Sequence, residues 1–230
     1  RAMAEHTPAR TFTYGLSPEA DLWADEIEGL GLDGIRLRLH YKDDALYVKV
    51  PLLGRHSAHT VLRGAAVAFA EGMDWEDIVK GLSAPAHQLR LVAVEGPDDT
   101  LILDDTYNSS PPSALAALNL LADLDGRKVA ALGDMLELGA YEEQGHLKVG
   151  CRAADIVRDL IVVGPLGETI GRGAKICGMD EAHVHYAADS TAAVDVVKAV
   201  LQPKDVMLVK GSRSVKMEVI VNALTQKAVD

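Results

Sequence analysis

The stretch VMLVKGSRS, residues 206–214, decides the fold class of this chain. Its first four residues are apolar, and a continuous apolar run is typical of a strand that is covered on both faces in a parallel sheet. Similar runs occur as VAALG at residues 129–133 and as LIVVG at residues 160–164. Because helical patterns separate these runs, we predict an α/β domain with a mostly parallel sheet and helices on both faces.

Strand-like and helical runs alternate from residue 91 onward. The apolar runs predict strands at 91–95, 100–104, 128–133, 159–164, 183–186 and 205–210. Apolar residues at helical spacing predict helices at 113–124, 141–155, 167–177, 190–201 and 214–226.

The first part of the chain has a different pattern. Residues 35–50 alternate apolar and polar side chains, which predicts a β-hairpin with Leu46 on the apolar face of its second arm. The segment 51–72 is helical in pattern, and Asp74 is placed to cap a short helix after it. The SAPAH segment at 83–87 combines proline with small residues, so we predict a domain boundary there. The two predicted domains are residues 1–86 and 87–230.

Composition limits the class of partner. The chain has 34 acidic and 23 basic residues and a formal net charge of −11, which argues against a nucleic-acid or anionic-membrane surface. No apolar run approaches the roughly 20 residues of a membrane helix, so we expect no membrane insertion. No signal peptide is visible, and we expect a cytoplasmic protein.

Cys151 and Cys177 lie in apolar periodic stretches, and we interpret them as reduced core residues.

Polar residues concentrate where the predicted strands end. Asp104, Asp105, Tyr107 and Asn108 follow one buried run, and ligands of open parallel sheets bind beyond this end of the strands. One acid can cap a turn while the other accepts hydrogen bonds from ligand hydroxyls. The alternative is an ordinary turn in which the acids and Asn108 form the bend and Tyr107 packs.

The KGSRS segment, residues 210–214, has the features of an anion site. A helix amino terminus there favours negative charge, and Lys210 and Arg213 add cations. The alternative is a capped helix with two surface cations. Asp134 and Glu137 lie at the end of another predicted strand, where the simpler interpretation is a helix-capping pair.

Several common site motifs are missing from the sequence. It contains neither a G-x-x-x-x-G-K-[ST] phosphate loop nor a G-x-G-x-x-G segment after a strand. His56 and His59 lie three residues apart, but no further ligand at suitable spacing joins them, so we predict no metal site.

Three segments in this order, LDDTYNSSPPS at 103–113, GRKVAALGDMLELG at 126–139 and VKGSRSVKME at 209–218, resemble the Mur ligases. In the branch of this family that adds D-Ala-D-Ala, the usual forms are D-D-S-Y-N-A-N-P, G-D-M-x-E-L-G and K-G-S-R, and other Mur ligases differ at the first and third of these. The three segments of this chain are therefore most similar to the branch that adds D-Ala-D-Ala. The segment LLGRHSAHTVLRGAA at 52–66 resembles the end of the family's central ATPase domain, with Ser57 and Thr60 in place of two asparagines. The match is colinear over about residues 50–225.

The resemblance implies a three-domain ligase, of which this chain holds the tail of the ATPase domain and a Rossmann-like C-terminal domain. The branch that the chain resembles joins D-Ala-D-Ala to UDP-MurNAc-tripeptide with ATP and Mg²⁺, through an acyl phosphate. The phosphate loop, the magnesium ligands and the catalytic groups would lie upstream. The chain begins with Arg1, and we expect a fragment that is inactive alone and whose parent is a monomer.

The resemblance also implies roles for individual residues. The residues that it places near the nucleotide are Asp104, Asp105, Tyr107, Asn108, Arg90, His56 and Thr60. Those that it places around the incoming dipeptide are Lys210, Ser212, Arg213, Asp134 and Glu137. Two alternatives remain: another Mur-type or folylpolyglutamate-type ligase, and a non-catalytic anion-binding α/β module.

Overall fold

The computed structural model describes residues 6–84 and 91–225. The chain divides into two compact units, Arg1–His87 and Gln88–Asp230. Within the described residues, no helix combines the length and the apolar character that crossing a membrane requires.

The first unit is built on a four-stranded sheet. In chain order and in sheet order its strands are β1 (Tyr14–Gly15), β2 (Leu22–Gly29), β3 (Ile35–Tyr41) and β4 (Asp44–Val50). The β1–β2 pair is parallel, and the other two pairs are antiparallel. The β3–β4 pair confirms the predicted hairpin, although Leu46, near its tip, remains 41% exposed.

Two helices cover one face of this sheet. They are α1 (Ala58–Ala70) and α2 (Trp75–Ser83). Their buried residues, Leu62, Phe69 and Ile78 among them, share one apolar cluster with the inward side chains of β2 to β4. Asp74 caps α2 as predicted, because its Oδ1 accepts a hydrogen bond of 2.9 Å from the Asp77 amide.

The second unit contains a six-stranded sheet. Its strands are β5 (Val92–Glu95), β6 (Leu101–Asp105), β7 (Lys128–Gly133), β8 (Asp159–Val163), β9 (Val184–Ala187) and β10 (Val206–Lys210). Their order across the sheet is β5-β6-β10-β7-β8-β9, and only β5 runs antiparallel to its neighbour. The last strand in the sequence therefore lies between β6 and β7, near the centre of the sheet.

Helices cover both faces of this sheet, as predicted. They are α3 (Pro111–Ala122), α4 (Glu142–Ala154), α5 (Gly167–Ile176), α6 (Ser190–Val200) and α7 (Glu218–Thr225). Met207 and Val209 of β10 pack with α6 and α7. Leu208 alternates to the opposite face, where α3 contacts β10 and α5 contacts β8.

Two helices of the second unit begin two or more residues away from their predicted starts. The α3 helix begins at Pro111 rather than at residue 113, because proline fits the first helical position and Ser110 forms a capping box with Ser113. The α7 helix begins at Glu218 rather than at 214, because Lys216 adopts a left-handed φ of 55° after a short 3₁₀ turn.

The prediction of two reduced cysteines is wrong. Cys151 in α4 and Cys177, which follows α5, form a disulfide across 26 residues, with 5.1 Å between their Cα atoms. The two helices approach closely because glycines face the contact: a Cβ atom on Gly150 would lie 2.0 Å from the carbonyl oxygen of Ile170. The sequence did not reveal this pairing, since it depends on how the helices pack.

Candidate functional site

The two adjacent acids at the end of β6 have different surroundings. Asp105 is buried, and its Oδ2 accepts a hydrogen bond of 2.6 Å from Lys210 Nζ at the end of β10. Asp104 is half-buried, and its Oδ1 accepts hydrogen bonds from the Thr106 amide and hydroxyl at 3.1 and 2.7 Å. Asp104 therefore stabilises the turn, whereas Asp105 belongs to a buried ion pair.

The loop after β6 presents the side chains of Tyr107 and Asn108 to solvent. Tyr107 is 52% exposed, and the Arg213 guanidinium lies 5.7 Å from the centre of its ring. Asn108 is exposed, and its backbone carbonyl accepts a hydrogen bond of 2.8 Å from Lys210.

The loop after β7 is held from two sides. Asp134 is buried, and its Oδ1 accepts a hydrogen bond of 2.8 Å from the Gly167 amide at the start of α5. Burial raises the pKa of Asp134 above its ordinary value, and the amides of Gly167 and Leu166 partly oppose this shift. The Ser212 amide donates to the Asp134 carbonyl at 2.9 Å, and Ser212 Oγ accepts from the Leu136 amide at 2.9 Å.

His146 is a part of this loop's support that the sequence did not reveal. It is fully buried in α4, and its Nε2 accepts a hydrogen bond of 3.0 Å from the Met135 amide. Its Nδ1 therefore carries the hydrogen that is donated to the Glu142 carbonyl at 2.7 Å, which defines a neutral imidazole. The sequence offered no signal for this role beyond the position of His146 on the following helix.

The candidates in the first unit are exposed. His56 lies in a 3₁₀ turn before α1, and Thr60 lies in the first turn of α1. The His56 ring lies close to Gly54, where a Cβ atom would come within 2.6 Å of it. Arg90 lies outside the described residues. Within the described ranges, no group of three or more His, Cys, Asp or Glu side chains can hold a metal ion.

The family of the chain follows from a match to the family model described as Mur ligase, glutamate ligase domain. The match covers residues 89–213, which is more than half of the chain. The chain belongs to the Mur ligase family.

Individual Mur ligases are similar over most of the chain. The UDP-N-acetylmuramoyl-tripeptide–D-alanyl-D-alanine ligase of Synechocystis is 33% identical over 219 residues, which cover 94% of this chain and 45% of that protein. The crystal structure of MurF from Acinetobacter baumannii has a TM-score of 0.80 at 27% identity and covers 94% of this chain and 47% of that one. The chain thus spans about half the length of these relatives.

A more distant Mur ligase shares the fold. MurF from Thermotoga maritima, solved in complex with ADP, has a TM-score of 0.72 at 21% identity, with coverage of 93% of this chain and 48% of that one.

In this chain, the three motif segments lie side by side because β6, β10 and β7 are adjacent strands. We call their carboxyl ends, residues 104–108, 134–137 and 210–214, the carboxyl-end site. Asp105, Asp134, Lys210 and Ser212 are buried in it. Tyr107, Asn108, Glu137 and Arg213 are exposed and accessible to a ligand.

Proposed function

We propose that this chain is the C-terminal part of a UDP-N-acetylmuramoyl-tripeptide–D-alanyl-D-alanine ligase. The observation that supports this best is the adjacency of the three motif segments in one carboxyl-end site. The Synechocystis relative bears the name of this enzyme at 33% identity. Because the chain spans about half of that relative, the activity belongs to a longer parent protein. The first unit is then the end of its ATPase domain, and the second unit is its C-terminal domain.

The proposed reaction forms an amide in the cytoplasm. A free carboxylate lacks an adequate leaving group, and phosphorylation of the tripeptide carboxylate by ATP supplies one. The amine of D-Ala-D-Ala then attacks the acyl phosphate, and phosphate leaves. Such a reaction needs the exclusion of water and the fixed placement of charges more than it needs proton transfer by this chain. We propose that Mg²⁺ and the ATP phosphates are held upstream of this chain, in a monomeric parent.

Exposed residues of the carboxyl-end site are proposed to contact the substrates. Arg213 is suited to the carboxylate of D-Ala-D-Ala, since a guanidinium can donate two parallel hydrogen bonds to it. Tyr107 and Asn108 are suited to the nucleotide, by stacking and by amide hydrogen bonds. Glu137 would border the dipeptide pocket.

Other residues are proposed to contribute less directly. Asp104 and Asp105 would orient the loop after β6, which carries the proposed nucleotide contacts Tyr107 and Asn108. Asp134 and Ser212 would support the dipeptide pocket. Arg90, His56 and Thr60 stay predicted nucleotide contacts on the basis of the motif resemblance alone.

The test compares the full-length parent with this chain. Phosphate release is measured with ATP, Mg²⁺, UDP-MurNAc-tripeptide and D-Ala-D-Ala, with each component omitted in turn. We expect release by the parent that requires D-Ala-D-Ala, and none by the chain alone. Replacing UDP-MurNAc-tripeptide and D-Ala-D-Ala together with a folate and glutamate tests for a folylpolyglutamate-type ligase, which joins glutamate to a folate carboxylate. A parent whose phosphate release does not depend on D-Ala-D-Ala contradicts the proposal, and turnover by the chain alone contradicts the assignment of the catalytic groups upstream.

A further inference from the structure

The central strand β10 connects the two motif loops on either side of it. Its end, Lys210–Ser212, lies between the loop that follows β6 and the loop that follows β7. Lys210 binds the first loop through Asp105 and the Asn108 carbonyl. Ser212 binds the second loop through the Asp134 carbonyl and the Leu136 amide. The segment therefore holds both loops at once.

Lys210 has the surroundings of an internal support. Its side chain is only 2% exposed, and its ammonium donates at 2.6 and 2.8 Å to two acceptors of the same loop. Removing an ammonium from water is costly unless it is paired and hydrogen-bonded, and both acceptors offset that cost here. A cation that captures an incoming carboxylate needs to be accessible, as Arg213 is with 67% exposure of its side chain.

The contacts of Lys210 act on the residues that a ligand can reach. The Asn108 carbonyl belongs to the same residue as the exposed Asn108 amide side chain, and Tyr107 precedes it. Fixing this carbonyl and the Asp105 carboxylate at the end of β6 restrains the short segment between them. The backbone from which both exposed side chains project is therefore restrained by the ammonium of Lys210.

We propose that Lys210 is a positioning residue of the ligase rather than a ligand of the dipeptide. It acts through Asp105 and the Asn108 carbonyl, and it holds Tyr107 and Asn108 in the arrangement that meets the nucleotide. This inference rests on the proposed function. It assigns the cationic role in the KGSRS segment to Arg213 alone and the support of the neighbouring loop to Lys210.

The test uses the full-length parent and removes the ammonium without leaving a buried charge unpaired. Lys210→Met alone would leave the buried Asp105 carboxylate without its cation and would destabilise the fold. Lys210→Met is therefore combined with Asp105→Asn. Asp105→Asn alone is the reference, because its amide oxygen still accepts from Lys210. Lys198→Met, an exposed substitution on α6, is the control for loss of a lysine.

We expect kcat of the double variant to fall to between about a tenth and a hundredth of that of Asp105→Asn, because misplacement by about 1 Å can cost on the order of 100-fold in rate. The KM for UDP-MurNAc-tripeptide should not change. Equal kcat in the two variants overturns the proposal, since Lys210 would then only neutralise Asp105. A higher KM for D-Ala-D-Ala at unchanged kcat also overturns it, because Lys210 would then bind the dipeptide.

Hydrogen exchange separates this proposal from the proposed function. In the double variant, amides of Thr106–Ser110 should exchange faster than in Asp105→Asn, while amides of β8 keep their rates. A parent without D-Ala-D-Ala-dependent activity defeats the proposed function, and the exchange rates then decide alone whether Lys210 holds the loop. Unchanged exchange at Thr106–Ser110 overturns the positioning role.

Discussion

Lys210 Nζ lies 2.6 Å from Asp105 Oδ2. The two residues are 105 positions apart in the sequence and end two strands that are adjacent in the sheet. The pair is nearly closed to solvent, with the lysine and aspartate side chains 2% and 12% exposed. Two of the motif segments are thus joined to each other before any ligand binds.

Asp105→Ala and Asp104→Ala should differ in stability. Asp105→Ala leaves the buried Lys210 without its carboxylate and should cost about 3–5 kcal/mol, whereas Asp104→Ala loses turn hydrogen bonds worth about 1 kcal/mol each. Urea denaturation followed by circular dichroism measures this difference, since both tryptophans, Trp23 and Trp75, lie in the first unit and do not report on the second. Equal losses of stability in the two variants would contradict the different roles of Asp105 and Asp104.

Arg213→Ala in the parent should raise the KM for D-Ala-D-Ala by roughly tenfold or more, because hydrogen bonds to charged groups contribute roughly 1.5–3 kcal/mol. Steady-state kinetics with varied dipeptide measure this effect. Arg172→Ala is the matched control, since Arg172 is an exposed arginine of α5 that pairs with Glu143. Similar kinetics of the two variants would remove Arg213 from the dipeptide site.

Gly150→Ala should destabilise the second unit by several kcal/mol, because the new methyl group would lie 2.0 Å from the Ile170 carbonyl and force α4 and α5 apart. Gly64→Ala in α1 is the control, because no atom other than those of its chain neighbours and its own helix backbone lies within 4 Å of its Cβ position. That change should stabilise the first unit by up to about 1 kcal/mol. Calorimetry measures both, and a neutral Gly150→Ala would mean that the helices pack less closely.

Reduction of the Cys151–Cys177 disulfide should lower the free energy of unfolding by about 2–4 kcal/mol, since the bond closes a loop of 26 residues. Denaturation with and without dithiothreitol measures this loss. The double variant Cys151→Ser/Cys177→Ser should match the reduced protein and not respond to reductant. Identical curves for the oxidised and reduced chain would show that the bond does not contribute.

The free energy of unfolding at acidic pH should depend on Asp159. Burial alone would raise the pKa of Asp159, but hydrogen bonds from His185 and His183 and the charge of Arg127 lower it below its ordinary value. Such a carboxyl contributes stability above the unfolded pKa of about 3.9 and loses that contribution as pH falls through the lower folded pKa.

Below about pH 4, the wild type should therefore lose stability more steeply than Asp159→Asn. Urea midpoints between neutral and acidic pH measure the slopes. The exposed Asp195→Asn of α6 should follow the wild type. Parallel slopes for the wild type and Asp159→Asn would contradict the role of Asp159.

Most element positions in the second unit were predictable because they depend on local patterns. The predicted strand 128–133 coincides with β7, and the predicted helices 167–177 and 190–201 match α5 and α6 to within one residue. The late start of α7 was not predictable, because it depends on the left-handed conformation of Lys216. A backbone conformation of this kind leaves no trace in apolar spacing.

The candidate site was predictable as a set of residues but not as an arrangement. The motif residues Asp105 and Lys210 were identified, yet the family resemblance implied contacts with different substrates for them. Their mutual hydrogen bond arises because β10 inserts between β6 and β7. His146 was missed because a buried histidine on a helix has no distinctive sequence pattern.

The sequence by itself determined the α/β class, the succession of strands and helices, and the membership of the polar set at the strand ends. These properties follow from apolar periodicity and from residue types within short segments. Only the tertiary structure decided the strand order, the Cys151–Cys177 bond, and which polar groups of the set are buried and which are exposed. The physical reason is that each of these depends on contacts between residues far apart in the chain, and local patterns do not encode such contacts.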